Sequence, residues 1–165
     1  MKILYISKSI IPSRSANSIH VMKMCQAFSV NGHEVVLLAP NLKNLYEKDV
    51  SNIFKFYGIK KKFHIKKLWH PNIKGGAIIY LIHIFFYLIL NSKFNLVYGR
   101  FLHGCYLAVL MKKNVIFETH EIIFENKNHK LLIFNKLIKN KFFKKLVVIS
   151  KSLKKIYLNK GYLNK

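Results

Sequence analysis

The sequence predicts an α/β domain: a Rossmann-like, doubly wound parallel sheet flanked by helices, built as a single domain over residues 1–165. Three observations carry this reading. Short runs of Val, Ile and Leu recur between amphipathic stretches, the pattern of strands buried on both faces of a parallel sheet. The first forty residues or so read as strand, helix and strand, a right-handed βαβ unit. The chain is also long enough for one sizeable core and too short for a second full domain.

Taken in order, Ile3–Ile6 is a buried strand after a lysine. Ile10, Ile11 and Pro12 lead into the small polar stretch 13–18, SRSANS, where Asn17 or Ser18 is the expected N-cap. Val21, Met24, Cys25 and Phe28 then recur at helical spacing, and Asn31–Gly32 supplies the stop. Val35–Leu38 is the second strand. Ile53–Tyr57 and Phe63–Trp69 each read as a strand, on either side of the basic run Lys60–Lys62. Gly75–Gly76 breaks the chain before Ala77–Leu90, an apolar stretch interrupted by His83. That stretch is too short to span a membrane, which takes about 20 residues. It reads as a helix buried against the sheet, with a helix lying on a membrane surface as the rival. Leu96–Tyr98 is a strand ending at Gly99–Arg100. Leu102–Met111 is a helix that Gly104 is expected to bend, and Val115–Phe117 is a strand leading into the ETHE of 118–121. Leu131, Phe134, Ile138 and Phe142 mark a further helix and Leu146–Ile149 a further strand. Ser150 or Ser152 caps the last helix.

Composition narrows the function. The chain carries 29 Lys+Arg against 6 Asp+Glu, a net charge of +23. Such a balance implies an anionic partner such as membrane lipid, nucleic acid or a phosphorylated sugar. The plainer account is a lysine-rich codon bias, and composition leaves the two open. Nucleic acid is not expected: only Arg14 and Arg100 are arginines, the residue type that reads base edges, and no nucleic-acid-binding pattern is present. Two cysteines without a CxxC partner exclude a zinc ribbon and argue against a disulfide framework. They fit a reducing compartment, and the strand-like start is not a signal peptide. The expectation is a cytoplasmic protein, peripheral at the inner face of the membrane if the basic charge is functional.

In a doubly wound sheet ligands sit beyond the carboxyl ends of the strands. Those ends carry Ser7–Asn17, Pro40, Gly99–Arg100, Glu118–Glu121 and Ser150. The first loop lacks both the dinucleotide fingerprint and the P-loop pattern. Its backbone N–H groups at a helix start can receive hydroxyls or an anion, although a plain capping loop explains it equally well. Glu118, His120 and Glu121 concentrate ionisable groups in a chain with few carboxylates, which makes His120 the candidate catalytic residue. Either glutamate is placed to fix its tautomer. Three of the chain's acids fall in Glu118–Glu125. Phe124 stands where a zincin would need its second histidine, so no metal site is read there.

The stretches MKILYIS, His20–Val21, NGHEVVLLAP, NLVYGR, VIFETHE and LVVISKSLKKIYLNKGY, in that order, resemble the N-terminal half of GT-B-type retaining glycosyltransferases. Within that type they resemble the family-four group of bacterial sugar transferases. The resemblance runs from Lys2 to about Tyr162. It implies half of a GT-B architecture and transfer of a hexose from a nucleotide-sugar donor to a sugar or lipid-linked acceptor, with no cofactor and no metal. It also implies that the donor is bound only with a C-terminal domain, which these residues do not include, so that the chain alone is inactive. Ser15, Ala16 and Asn17 stand where the family usually has a glycine pair near donor phosphates and acceptor. His20 matches the family's HV, Arg100 a strand-end position facing the cleft, and His120 a histidine near the transferred sugar. With Glu121 these form the predicted acceptor site. The alternative is a basic membrane-binding α/β domain without catalysis.

Overall fold

The computed structural model describes residues 1–42, 47, 49–123 and 129–162. It is a six-stranded, all-parallel sheet with helices on both faces. The elements follow one another as β1 (Lys2–Ile6), α1 (Ala16–Val30), β2 (Glu34–Pro40), α2 (Ile53–Phe56), β3 (His64–Leu68) and α3 (Gly76–Leu90). The second half comprises β4 (Leu96–Gly99), α4 (Leu102–Leu110), β5 (Val115–Thr119), α5 (His129–Ile138), β6 (Phe143–Val148) and α6 (Lys151–Asn159). The strand order β3-β2-β1-β4-β5-β6 is that of a doubly wound fold, with the order reversing between β1 and β4. β3 and β6 are the two edges.

Alternation along the strands divides the core in two. Leu4, Ile6, Val36 and Leu38 belong to the core under α3 and α4, which continues to α5 and α6 through Phe134, Leu137 and Tyr157. Ile3, Tyr5, Val35 and Leu37 belong to the core under α1, closed by Val21, Met22 and Cys25 together with Tyr57, Ile59 and Phe63. Both cysteines are free and buried, and burial raises the thiol pKa of each.

Several boundaries differ from those expected. Ser15, not Asn17 or Ser18, is the N-cap of α1, its side chain accepting from the Ser18 N–H. The Ser18 hydroxyl is instead committed to the Ile10 carbonyl at 2.8 Å. Ile53–Tyr57 is not a strand: Asn52 caps Lys55 N–H and starts the single turn of α2. Its aromatic residues pack under α1, while the following segment alone pairs with β2. Phe142 lies beyond α5, which ends at Ile138, and β6 starts earlier than expected, at Phe143. Gly104 is a packing residue of α4: a Cβ there would meet Ile6 Cγ2 at 2.8 Å. Ser150 caps α6, accepting from Leu153 N–H. Glu125 and Phe124 lie outside the described residues.

The largest difference is α3. Its inward stripe, Tyr80, Ile84 and Leu88, is buried, but its outward stripe is not covered, so the helix is only half buried. Ile78, Ile82, Phe85, Phe86, Ile89 and Leu90 are all exposed. Among the described residues, no helix is long and apolar enough to cross a membrane.

Candidate functional site

A pocket of about 630 Å³ opens where the strand order reverses, at the carboxyl ends of β4, β5 and β6 and the start of α1. Its lining includes Ala16, Asn17, His20, Arg100, Glu118 and His120, over an apolar floor of Met24, Val147 and Ile149. Each polar member is there for a local reason. Ser15 ends the first loop as a cap, so Ala16, Asn17 and His20 fall on the first turns of α1. Asn17 Nδ2 donates to Ser9 Oγ at 2.7 Å, and Ser7 Oγ donates to the same oxygen at 2.9 Å. These small side chains bind one another and hold the loop closed without glycine. Tyr80 on α3 fastens the loop from below, its hydroxyl donating to the Ser7 carbonyl at 2.7 Å.

Gly99 allows β4 to run into the site. A Cβ there would meet the Ile6 carbonyl oxygen at 2.7 Å and Cys105 Sγ at 2.8 Å, so only glycine fits. The next residue, Arg100, donates its backbone N–H to Ile6 O and turns its guanidinium along the pocket wall.

Glu118 is the hub. In β5 its neighbour Phe117 faces the α3–α4 core, so Glu118 faces the α1 side, and its side chain is 2% exposed. The Tyr98 hydroxyl donates to Oε2 at 2.7 Å. Oε1 lies 2.6 Å from His20 Nε2 and 3.5 Å from Arg100 Nε. The Arg100 approach is an ion-pair contact, and neither approach has hydrogen-bond geometry, so these three atoms have no directed bond. Burial raises the Tyr98 pKa, and the bond to Glu118 raises it further. The phenol therefore stays a donor at any ordinary pH.

Arg100 Nη2 and His120 Nδ1 are 2.8 Å apart. A guanidinium only donates, so Nδ1 carries the lone pair in this contact and the ring proton sits on Nε2. The orienting group is thus Arg100. Neither Glu118 nor Glu121, the partners expected from sequence, makes this contact. The turn after β5 is set by Thr119, whose hydroxyl donates to Glu121 O and accepts from Glu121 N–H. Tyr157 of α6 clamps the same turn, donating to Glu121 O at 3.0 Å and accepting from Ile123 N–H at 3.2 Å.

Of the residues predicted from sequence, Ala16, Asn17, His20, Arg100 and His120 are brought together in one pocket. Ser15 stands behind it as the helix cap. Glu121 stands outside it, 3.3 Å from Lys130 Nζ. Tyr98 was missed, and Glu118 was read only as a tautomer partner. The signal for both lies in strand parity: each sits on the α1-facing side of a buried strand, where a carboxylate needs partners. Among the described residues, no cluster of His, Cys, Asp or Glu could hold a metal ion.

No family model matches the chain, and no curated protein matches it by sequence. Solved structures do match in fold. A sucrose-phosphate synthase from Thermosynechococcus elongatus superposes with a TM-score of 0.60 at 14% identity, over 96% of this chain and 81% of that one. A UDP-GlcNAc 2-epimerase from Methanocaldococcus jannaschii gives 0.62 at 16% identity, over 99% of this chain and 43% of that one. Anabaena Alr3699/HepE, in complex with UDP-glucose, gives 0.52 at 10% identity, over 98% and 50%. The chain therefore spans about half the length of the epimerase and of HepE, or slightly less. At these identities the likeness is one of fold: the Rossmann-like half-domain of GT-B-type architecture.

Proposed function

We propose that this chain is the acceptor-side half of a GT-B-type glycosyltransferase, moving a sugar from a nucleotide-sugar donor to a sugar or lipid-linked acceptor. The observation that supports it is the pocket at the switch point, where Asn17, His20, Arg100 and His120 converge. Two fold neighbours point the same way: one is a sucrose-phosphate synthase and another was solved with UDP-glucose. In this reading the transfer retains configuration, as in the family-four group. A donor-binding half supplies the nucleotide site, and residues 1–165 by themselves do not transfer sugar.

The chemistry follows from the wall of the pocket. Glu118 offsets the charge of Arg100 within the wall of the pocket. That suits a hydroxyl-rich acceptor better than a free anion. His120, held by Arg100 with its proton on Nε2, donates to a sugar hydroxyl or a departing phosphate oxygen, a bond that strengthens as charge develops there. Asn17 and His20 orient the acceptor from α1.

The test is an NMR titration of the purified chain with neutral saccharides and with UDP-glucose, following the histidine ring signals. Saccharide-dependent shifts of His20 and His120 are the expected outcome, the His20 shift weakening in His120→Ala. Shifts from UDP-glucose with none from any saccharide would make this the donor half. Sugar transfer by the purified chain, above a heat-inactivated control, would overturn the half-enzyme reading.

A further inference from the structure

We propose that the outward face of α3, together with Trp69 and the groove between α3 and α4, docks this domain onto an anionic lipid bilayer. The proposal stands whether or not the pocket is catalytic. Its first support is geometric. The exposed residues of α3 recur at helical spacing on one stripe, with Ile78 64% and Leu90 80% exposed. Beside them an apolar groove of about 340 Å³ runs between the helices, lined by Ile82, Phe85, Tyr106, Leu107 and Leu110. A monomer seldom leaves so continuous a patch bare.

The second support is charge. The sequence contains no Asp or Glu between Asp49 and Glu118, a stretch that includes all of β3, α3, β4 and α4. Lysines rim the patch instead. Lys74 and Lys93 flank α3, both exposed. Lys113 Nζ donates to Ser92 O at the carboxyl end of the helix, with Lys112 beside it. An apolar stripe bounded by lysines that form no ion pair among the described residues matches a surface offering both hydrocarbon and negative headgroups. A second copy of this chain would bring the same lysines and the same +23 into contact, so charge disfavours self-docking. With 15 residues, α3 is about 22 Å long, too short to cross a bilayer core of about 30 Å, and lies along the surface. Trp69 completes the face. Its ring meets His83 of α3 edge-on at 5.7 Å, and it is 57% exposed, the half-wet position that indoles favour at a membrane boundary.

Trp69 is the single tryptophan of the chain and so reports on this face alone. The experiment is co-sedimentation with vesicles of phosphatidylcholine alone, or with added phosphatidylglycerol, alongside Trp69 emission. The expected result is binding to the anionic vesicles that weakens as salt rises, with a blue-shifted emission quenched by brominated lipid. Phe86→Ser/Leu90→Ser, both solvent-facing changes, should weaken binding at least about ten-fold without altering the thermal unfolding curve. Lys74→Glu/Lys93→Glu should do so while leaving every apolar residue in place. Equal binding to neutral vesicles, or binding with Trp69 emission unchanged, would overturn the proposal. So would concentration-dependent dimerisation that shifts Trp69 emission without lipid.

Discussion

Single residues decide whether the pocket exists, and Glu118 is the most consequential. Its carboxylate is buried with Tyr98 on one oxygen and His20 and Arg100 near the other. Glu118→Ala leaves the Arg100 guanidinium buried without its counter-charge, and breaking such a pair costs about 3–5 kcal/mol. Urea unfolding should show that loss. Gly99→Ala drives a methyl into the Ile6 carbonyl and should cost about 1–3 kcal/mol by the same assay, the usual cost of overpacking. His120 behaves differently because its ring is exposed. In a chain joined to a donor-binding half, His120→Ala should lower turnover about one hundred-fold or more, with the unfolding midpoint unchanged. His103 predicts a pH effect. Burial lowers its pKa, with His129, Lys8 and Lys130 adding to the shift. The unfolded chain therefore binds this proton more readily than the folded one. Stability is then full above the unfolded value, about 6.5, and falls as pH drops below it toward the lowered folded value. Urea midpoints across that window should show the decline, and His103→Phe should flatten it.

At the scale of elements, the reading from sequence succeeds where one period dominates. Ile3–Ile6 and Val115–Phe117 were legible as strands because both of their faces are buried. The carboxyl end of β5 was legible as a wall of the pocket because a buried strand must deliver its next residues to that edge. Ile53–Tyr57 was not legible, since aromatic runs suit either a strand or one helical turn. The contest was settled by the Asn52 cap and by which segment pairs with β2. Glu118's burial was hidden because the partners that satisfy it come from β4 and α1, far away in sequence. In α3 the apolar content was plain, but which half of it would be covered depends on the neighbouring helices. That division can be measured: Ile84→Ala on the inward stripe should cost about 2–5 kcal/mol, while Ile78→Ser on the outward stripe should stay within about 0.5 kcal/mol.

For the whole molecule, the open sheet has a consequence at its two borders. Among the described residues, β3 and β6 each leave a row of main-chain donors and acceptors without a neighbouring strand, a template on which another copy could polymerise. Both borders carry adjacent lysines at mid-strand, Lys66–Lys67 and Lys144–Lys145. A strand added in register would stack like charges about 4.8 Å apart, which disfavours every step of fibril growth. The expected effect of these lysines is to oppose edge-to-edge aggregation. Replacing Lys144 and Lys145 with Val and Thr should make the protein scatter light on incubation at low salt, while Lys93→Val, away from either border, should leave it clear.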